Sequence, residues 1–425
     1  MNTKARLKLD IRTLALQILL VTVCLKWLIE GILDRTILEA VLLIFGLSFA
    51  FLKKGLHINR LALPWALYIV NIVLSLLISK AESNLWGRAI ITILITTYVF
   101  FVDCPVIRYR RILRTLVVFG CITGVLVGIH YLLGDTFRRL YFPLLSETAR
   151  EMAEMYARSG YYFGFLYNPH EPAGLIVFAI AGFVVWKMVS KSRKWRHLII
   201  SVVLMVPLLL TGKRAIFAIM LLTLTITILM LYGSRKQWIR GMLFLLCLLV
   251  GIVVFIVISL NNPEVAIFNR FNQLFQQVAS GETLGSGRLQ LYNAAIAEWQ
   301  ESKWFGIGWR AFNAMTTTKF GFTRAHEVNC DYLQWLCETG IIGFVLSIIP
   351  VAIMAYRSTY VGRKLLRRFK NKTEQWILLF SVFIQMFTVI YAFVEIPFFD
   401  IVYSAIYVLS CVIINSAYSR RNLYL

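Results

Sequence analysis

Residues 285–289 read Gly285-Ser286-Gly287-Arg288-Leu289, and residues 304–310 read Trp304-Phe305-Gly306-Ile307-Gly308-Trp309-Arg310. A second polar stretch follows as Arg324-Ala325-His326-Glu327-Val328-Asn329-Cys330-Asp331-Tyr332-Leu333-Gln334, and it leads to Gly340-Ile341-Ile342-Gly343. Both stretches fall in a long loop, about residues 261–338, between apolar runs. Because most of the remaining chain is apolar, this loop is where we expect chemistry.

The composition predicts a membrane protein. The 425 residues are 59% hydrophobic and 15% charged, whereas soluble proteins carry roughly 25% charged residues. Apolar runs near twenty residues recur, and each can cross roughly 30 Å of hydrocarbon. We therefore predict an all-α polytopic membrane protein with about twelve transmembrane helices and two long extracytoplasmic loops. The predicted spans are about 13–32, 36–53, 61–79, 86–103, 112–133, 173–190, 197–212, 214–232, 240–260, 339–356, 375–395 and 399–418.

The net charge of +23 does not indicate nucleic acid as a partner. The basic residues cluster in alternate short connections, as in Arg363-Lys364 and Arg367-Arg368, which is the bias of cytoplasmic loops. This bias places both termini in the cytoplasm. The predicted organisation is helices 1–5 (1–133), a first extracytoplasmic loop (134–172), helices 6–9 (173–260), a large catalytic loop (261–338) and helices 10–12 (339–425).

The first loop contains a predicted amphipathic helix, Ser146 to Arg158. Ser146 can cap it, and two i,i+4 ion pairs, Arg150/Glu154 and Glu154/Arg158, support it. The predicted apolar stripe consists of Met152, Met155 and Tyr156. We expect the helix to lie on the membrane surface.

His326 is a candidate general base because its polar surroundings and nearby Arg324 favour a neutral imidazole. A lone histidine is more often structural. His326 to Glu338 is predicted to be helical, which places His326, Asn329 and Cys330 on one face.

Arginine binds phosphate through planar, bidentate donation, which makes Arg288 and Arg214 candidate anion binders. The alternative for each is a salt bridge to an external carboxylate. Lys213 and Arg214 follow Thr211-Gly212 in a predicted external turn, where two adjacent cations indicate either snorkelling at the interface or an anion site.

No glycine-rich phosphate loop, zinc-type spacing or carboxylate motif typical of metal binding occurs in the sequence. We therefore expect no cofactor and no metal. A transferase of this kind would use an activated, lipid-linked donor.

The motifs resemble those of the O-antigen ligase / O-antigen polymerase family of bacterial membrane glycosyltransferases. The resemblance is carried by Leu210-Thr211-Gly212-Lys213-Arg214-Ala215, Gly287-Arg288 with Trp299, Trp304-Phe305-Gly306-Ile307-Gly308, Asp331-Tyr332-Leu333-Gln334 with Glu338-Thr339-Gly340-Ile341-Ile342-Gly343, and Asn168-Pro169-His170-Glu171-Pro172-Ala173. Their order and membrane placement are more specific than any one motif.

The resemblance implies transfer of a glycan from undecaprenyl diphosphate to an acceptor hydroxyl at the outer face of the bacterial cytoplasmic membrane. Arg214 and Arg288 would bind the diphosphate, and a histidine would deprotonate the acceptor. The family's usual histidine position is Asn329 here, so His326, one turn earlier, is the expected base. The implied partners are the lipid-linked glycan donor, a glycan or lipid-core acceptor, and the bilayer. The predicted substrate-binding residues are Lys213, Asn329, Arg310, Arg324 and His170.

The family motifs do not separate a ligase, which transfers finished polymer, from a polymerase, which extends it. The competing class is a lipid-linked oligosaccharide flippase or another multi-pass transporter. That class predicts charges or broken helices near mid-membrane, whereas the polar groups here lie near the ends of the apolar runs.

Overall fold

The computed structural model describes residues 17–18, 20–22, 58–79, 86–102, 104–190, 195–231, 239, 288–322 and 325–421. Within these ranges the regular structure is helical and no strand occurs. The helices are α1 (Pro64–Ile78), α2 (Trp86–Phe101), α3 (Arg110–Leu133), α4 (Asp135–Tyr141), α5 (Glu147–Arg158), α6 (His170–Ser190), α7 (Arg196–Leu210), α8 (Arg214–Leu231), α9 (Arg288–Glu301), α10 (Ala311–Thr318), α11 (Asp331–Tyr360), α12 (Lys372–Tyr391) and α13 (Ile401–Ser419).

The membrane character of the chain is visible in these helices. Among the described residues, five helical segments are long and apolar enough to cross a membrane: Val106–Leu133, His170–Ser190, Asp331–Arg368, Lys372–Tyr391 and Ile401–Ser419. Four shorter apolar helices accompany them. The protein is an all-α, multi-pass membrane protein. The count of twelve spans stays a prediction, and the spans at 13–32, 36–53 and 240–260 lie wholly or largely outside the described residues.

Helix α6 lies at the centre of the apolar bundle. It packs against α3, α7 and α12, and most of its residues are buried. The indole nitrogen of Trp376 on α12 donates to the Gly182 carbonyl on α6 at 2.9 Å. A buried N–H needs such a partner, and this one fixes the register of α12 against α6. His170 is the first residue of α6 and is thereby held at one end of the bundle.

The turn at residues 304–308 is docked onto a kink in α11. The backbone nitrogen of Gly308 donates to the Glu338 carbonyl, and that of Ile341 donates to the Lys303 carbonyl, both at 2.8 Å. Gly306 and Gly340 have φ angles of 71° and 64°, and a Cβ on either would lie 2.3 Å from the opposing backbone. Only glycine combines this backbone region with so close an approach. The two glycine-containing motifs therefore form one structural unit.

Helix α5 forms where the sequence predicted it, but its faces differ from the prediction. The Arg150–Glu154 and Arg158–Glu154 pairs are present at 3.3 and 3.7 Å, whereas Ser146 makes no side-chain capping bond. The buried face consists of Ala149, Ala153 and Ala157, packed on an aromatic cluster of Phe137, Tyr141, Phe142 and Phe163. The expected stripe of Met152, Met155 and Tyr156 is half-buried, and Tyr156 packs against the edge of the same cluster.

Candidate active site

His170 contacts two charged groups and two tyrosine hydroxyls from separate elements. Its Nε2 lies 2.5 Å from Lys213 Nζ, in the turn between α7 and α8. Its Nδ1 lies 3.3 Å from Glu395 Oε1, in the connection between α12 and α13, and 3.1 Å from the Tyr391 hydroxyl. The Tyr403 hydroxyl donates to the His170 carbonyl at 2.7 Å and fixes the start of α6. The cluster therefore lies where several helix ends meet.

The hydrogen bonds of His170 assign its tautomer. A lysine ammonium can only donate, so Nε2 accepts from Lys213. Nδ1 then carries the proton and faces the Glu395 carboxylate. This assignment follows from the network of partners. His170 is thus a neutral link between a cation on one side and a carboxylate on the other.

Glu395 completes the cluster by pairing with Arg288. The distance from Arg288 Nη2 to Glu395 Oε1 is 2.9 Å. Burial raises the pKa of Glu395 above the ordinary range of a glutamate, and the positive charges of Lys213 and Arg288 offset part of that rise. The sequence analysis did not single out Glu395. The available signal was an isolated carboxylate in Val394-Glu395-Ile396-Pro397 between two apolar runs, because ionisable groups there are seldom without a role.

A cavity of about 320 Å³ opens beside this cluster. His170, Glu395 and Tyr391 line one part of it, and His326 and Asn329 line another. Helix α5 contributes Met152, Met155 and Tyr156, the residues that the sequence assigned to a membrane-facing stripe. A mixed apolar and polar wall of this kind suits a ligand that carries both polar groups and apolar faces.

The segment before α11 is not helical, so the predicted helix starts at Asp331 and not at His326. Helix α11 begins at Asp331, and Asn329 has a left-handed φ of 58°. His326, Asn329 and Cys330 therefore share no helix face. His326 and Asn329 still meet at the cavity wall. The His326 ring packs edge-on against Phe322, with 5.6 Å between ring centroids, and the Asn329 carbonyl accepts from the Tyr292 hydroxyl at 3.3 Å.

Arg310 ties the loops around the cavity together. Its guanidinium donates to Glu327 Oε1 at 2.9 Å and to the Phe399 carbonyl at 2.7 Å. Its backbone nitrogen donates to Glu338 Oε2 at 2.8 Å. Arg310 lines the cavity but is only 4% exposed. Its hydrogen bonds therefore connect the segments that contain Glu327, Glu338 and Phe399.

The Asp331-Tyr332-Leu333-Gln334 motif anchors the connection that carries Glu395. Asp331 Oδ2 accepts from the Phe398 backbone nitrogen at 2.9 Å, and the Tyr332 hydroxyl donates to the Val389 carbonyl at 2.8 Å. Gln334 donates to Glu327 at 2.6 Å. The motif thus determines where Glu395 and the His326–Asn329 segment lie relative to each other.

The structure brings together only part of the predicted site. Arg288, Lys213 and His170 meet at Glu395, and His326, Asn329 and Arg310 line the neighbouring cavity. Arg214 begins α8 directly after Lys213, and Lys213, Arg214 and Arg288 are not among the residues lining the cavity. Arg324 lies outside the described residues. Among the residues that are described, no group of three or more His, Cys, Asp or Glu side chains is arranged to hold a metal ion.

A comparison with protein-family models matches residues 206–348 to the O-antigen ligase family. The matched stretch runs from α7 through the first half of α11 and includes Lys213, Arg214, Arg288 and His326. The family resemblance predicted from the sequence is thereby confirmed. No curated protein matches the chain significantly.

Proposed function

We propose, from the O-antigen ligase domain that this chain carries across residues 206–348, that it transfers a glycan from undecaprenyl diphosphate to an acceptor hydroxyl at the outer face of the bacterial cytoplasmic membrane. The domain indicates a glycosyltransferase-type enzyme of polysaccharide synthesis. The observation that carries the finer proposal is the convergence of Lys213, Arg288, His170 and Glu395 beside a cavity at the ends of apolar helices.

The two cations suit a diphosphate leaving group. In the transfer, the acceptor oxygen bonds to the anomeric carbon of the glycan while the bond from that carbon to the diphosphate oxygen breaks. Negative charge then grows on the diphosphate. Preorganised donors near that charge stabilise the transition state. We assign this role to Arg288 and Lys213, with Arg214 retained as the neighbouring candidate.

His326 is the proposed base that accepts the hydroxyl proton. Its ring lies at the cavity wall, whereas the Nε2 lone pair of His170 is already occupied by Lys213. Asn329 lines the same cavity, and we assign it the role of orienting the acceptor hydroxyl. A base must come within hydrogen-bond reach of the proton it removes, and this cavity gives His326 access to an acceptor.

The transporter alternative receives no comparable support. Ionised groups in the interior of membrane helices are typical of transport pathways, whereas Lys213, Arg288 and Glu395 lie in or beside connections between helices. Ligase and polymerase remain two forms of the proposed transfer. Residues 261–287 of the large loop lie outside the described residues.

The test is the profile of surface glycans and lipid-linked intermediates in cells that lack the protein. Short single units in place of a long ladder indicate a polymerase. Full-length polymer that stays on undecaprenyl diphosphate indicates a ligase. An unchanged profile in both fractions contradicts the proposal for that glycan.

Complementation with histidine variants then tests which histidine acts as the base. We expect His326→Ala to fail to restore the glycan profile. His197→Ala is the matched control, because His197 lies on α7 and does not line this cavity. Full restoration by His326→Ala with failure of His170→Ala would move the base to His170.

A further inference from the structure

A second concave site lies on the opposite flank of α5 from the cavity. This groove, of about 420 Å³, is lined by Phe142, Pro143, Glu154, Ala157 and four arginines, Arg138, Arg139, Arg150 and Arg158. Two of the arginines belong to α5 and the others to α4. Four guanidinium groups around one groove indicate a ligand with negative charge.

The carboxylates near the groove neutralise only part of this charge. Arg138 pairs with Asp135 at 3.0 Å. Arg150 and Arg158 share Glu154, and among the described residues Arg139 has no ion pair. Arg150 and Arg158 keep 55% and 81% of their side chains exposed. Arginine presents a planar set of donors that matches phosphate oxygens, so phosphate is the anion that this groove fits best.

Exposed leucines lie next to the arginines. Leu132, Leu140 and Leu144 are 80%, 70% and 64% exposed. Leu132 ends the apolar run of α3, and α4 begins two residues after α3 finishes. Leucines and arginines combined at the end of a membrane helix are typical of an interfacial element, in which apolar side chains enter the acyl layer and the cations reach the phosphates.

We propose that this groove binds the headgroup phosphate of an anionic phospholipid, in the leaflet at the cavity end of the helices. The exposed leucines would enter the acyl layer beside the bound lipid. The site is distinct from the candidate active site, because α5 directs Met155 and Tyr156 to the cavity and Arg150 and Arg158 to the groove. It does not depend on the glycan-transfer proposal.

The experiment places the full-length protein in phosphatidylcholine nanodiscs that contain a small fraction of photoactivatable phosphatidylglycerol. After illumination, labelled peptides are mapped by mass spectrometry. We expect labelling of residues 135–158, and roughly fivefold weaker labelling for each of Arg139→Ala, Arg150→Ala and Arg158→Ala. That change corresponds to about 1 kcal/mol per arginine near a charged surface. Arg139→Lys, which keeps the charge, should retain most of the label.

Labelling of the basic segment 363–372 in the same molecules is the internal control, and it should not change in the variants. Equal labelling of residues 135–158 by photoactivatable phosphatidylcholine, unaffected by the arginine variants, would overturn the proposal. Displacement of the phosphatidylglycerol label by inorganic phosphate would overturn it as well, because the groove would then be a site for soluble anions.

Discussion

Arg288 Nη2 lies 2.9 Å from Glu395 Oε1 although 107 residues separate them along the chain. Arg288 begins α9, and Glu395 lies in the connection between α12 and α13. The pair therefore joins the family-matched domain to the last two membrane helices, which lie beyond the match. Residues outside the matched stretch are thus part of the site's charge balance.

Replacing Glu395 tests this relationship. Glu395→Ala removes the partner that orients Arg288 and His170, and we expect transfer about tenfold slower or worse, since a charge-assisted bond contributes roughly 1.5–3 kcal/mol. Purified enzyme with lipid-linked donor gives the measurement. Glu301→Ala is the matched control, because Glu301 pairs with Lys319 on an exposed surface. Equal rates for wild type and Glu395→Ala would show that the pair is not needed.

The raised pKa of Glu395 predicts a pH dependence of stability. Its folded pKa lies above the unfolded value of about 4.3, so the folded protein binds more protons in the window above that value. The contribution of Glu395 to folding stability is therefore fully present below the unfolded pKa and is lost as the pH rises through the folded pKa. Thermal unfolding of wild type relative to Glu395→Gln should show wild type losing stability across this window. A parallel pH dependence of the two proteins would contradict this.

The docked turn predicts a contrast between two glycines. Gly306→Ala places a Cβ 2.3 Å from the Glu338 backbone at a positive φ, and we expect a loss of more than about 1 kcal/mol of folding free energy. Gly321→Ala has a similar φ of 66° but meets nothing within 4 Å. Comparing the unfolding midpoints of the two variants distinguishes the effect of steric contact, present only in Gly306→Ala, from the effect of backbone strain, present in both. Equal losses would mean that strain alone explains the requirement for glycine.

Chelation tests the expectation that no metal takes part. If Lys213 and Arg288 hold the leaving diphosphate, no divalent cation is needed to neutralise its charge. Transfer by purified protein should therefore continue in excess EDTA at its original rate. A rate that falls in EDTA and recovers with added Mg²⁺ would assign the charge neutralisation to a metal.

Local sequence patterns predicted the helices well and the contacts between them poorly. The helical segments near 86–103, 112–133 and 146–158 and the turn at 211–214 were predictable, because apolar length, ion-pair spacing and glycine act within a few residues. The start of α11 could not be predicted, because Asn329 takes a left-handed φ that no periodicity in the sequence reveals. The partner of Arg288 could not be predicted either. The sequence left an anion site and a salt bridge to an external carboxylate as alternatives, and no local pattern selects Glu395.

Only some of the predicted site residues lie close together in the structure, and their roles stay predictions. Motif order placed Arg288, Lys213 and His170 in the same region, and they do meet. The faces of α5 were assigned by hydrophobicity, which ranks methionine above alanine. Close packing on Phe137 and Phe163 instead selected the alanines, and this left Met155 and Tyr156 to line the cavity.

The backbone hydrogen bonds from Gly308 to Glu338 and from Ile341 to Lys303 close residues 307–339 into a loop whose two ends meet. Residues added near Gly321, which has open space around it, would lengthen that loop without moving either end. Doubling the length of such a loop costs only about 0.6 kcal/mol in closure entropy. The rim of the cavity at Asn313 and His326 belongs to this loop. Insertions and deletions here can therefore reshape the cavity rim while the membrane helices stay unchanged.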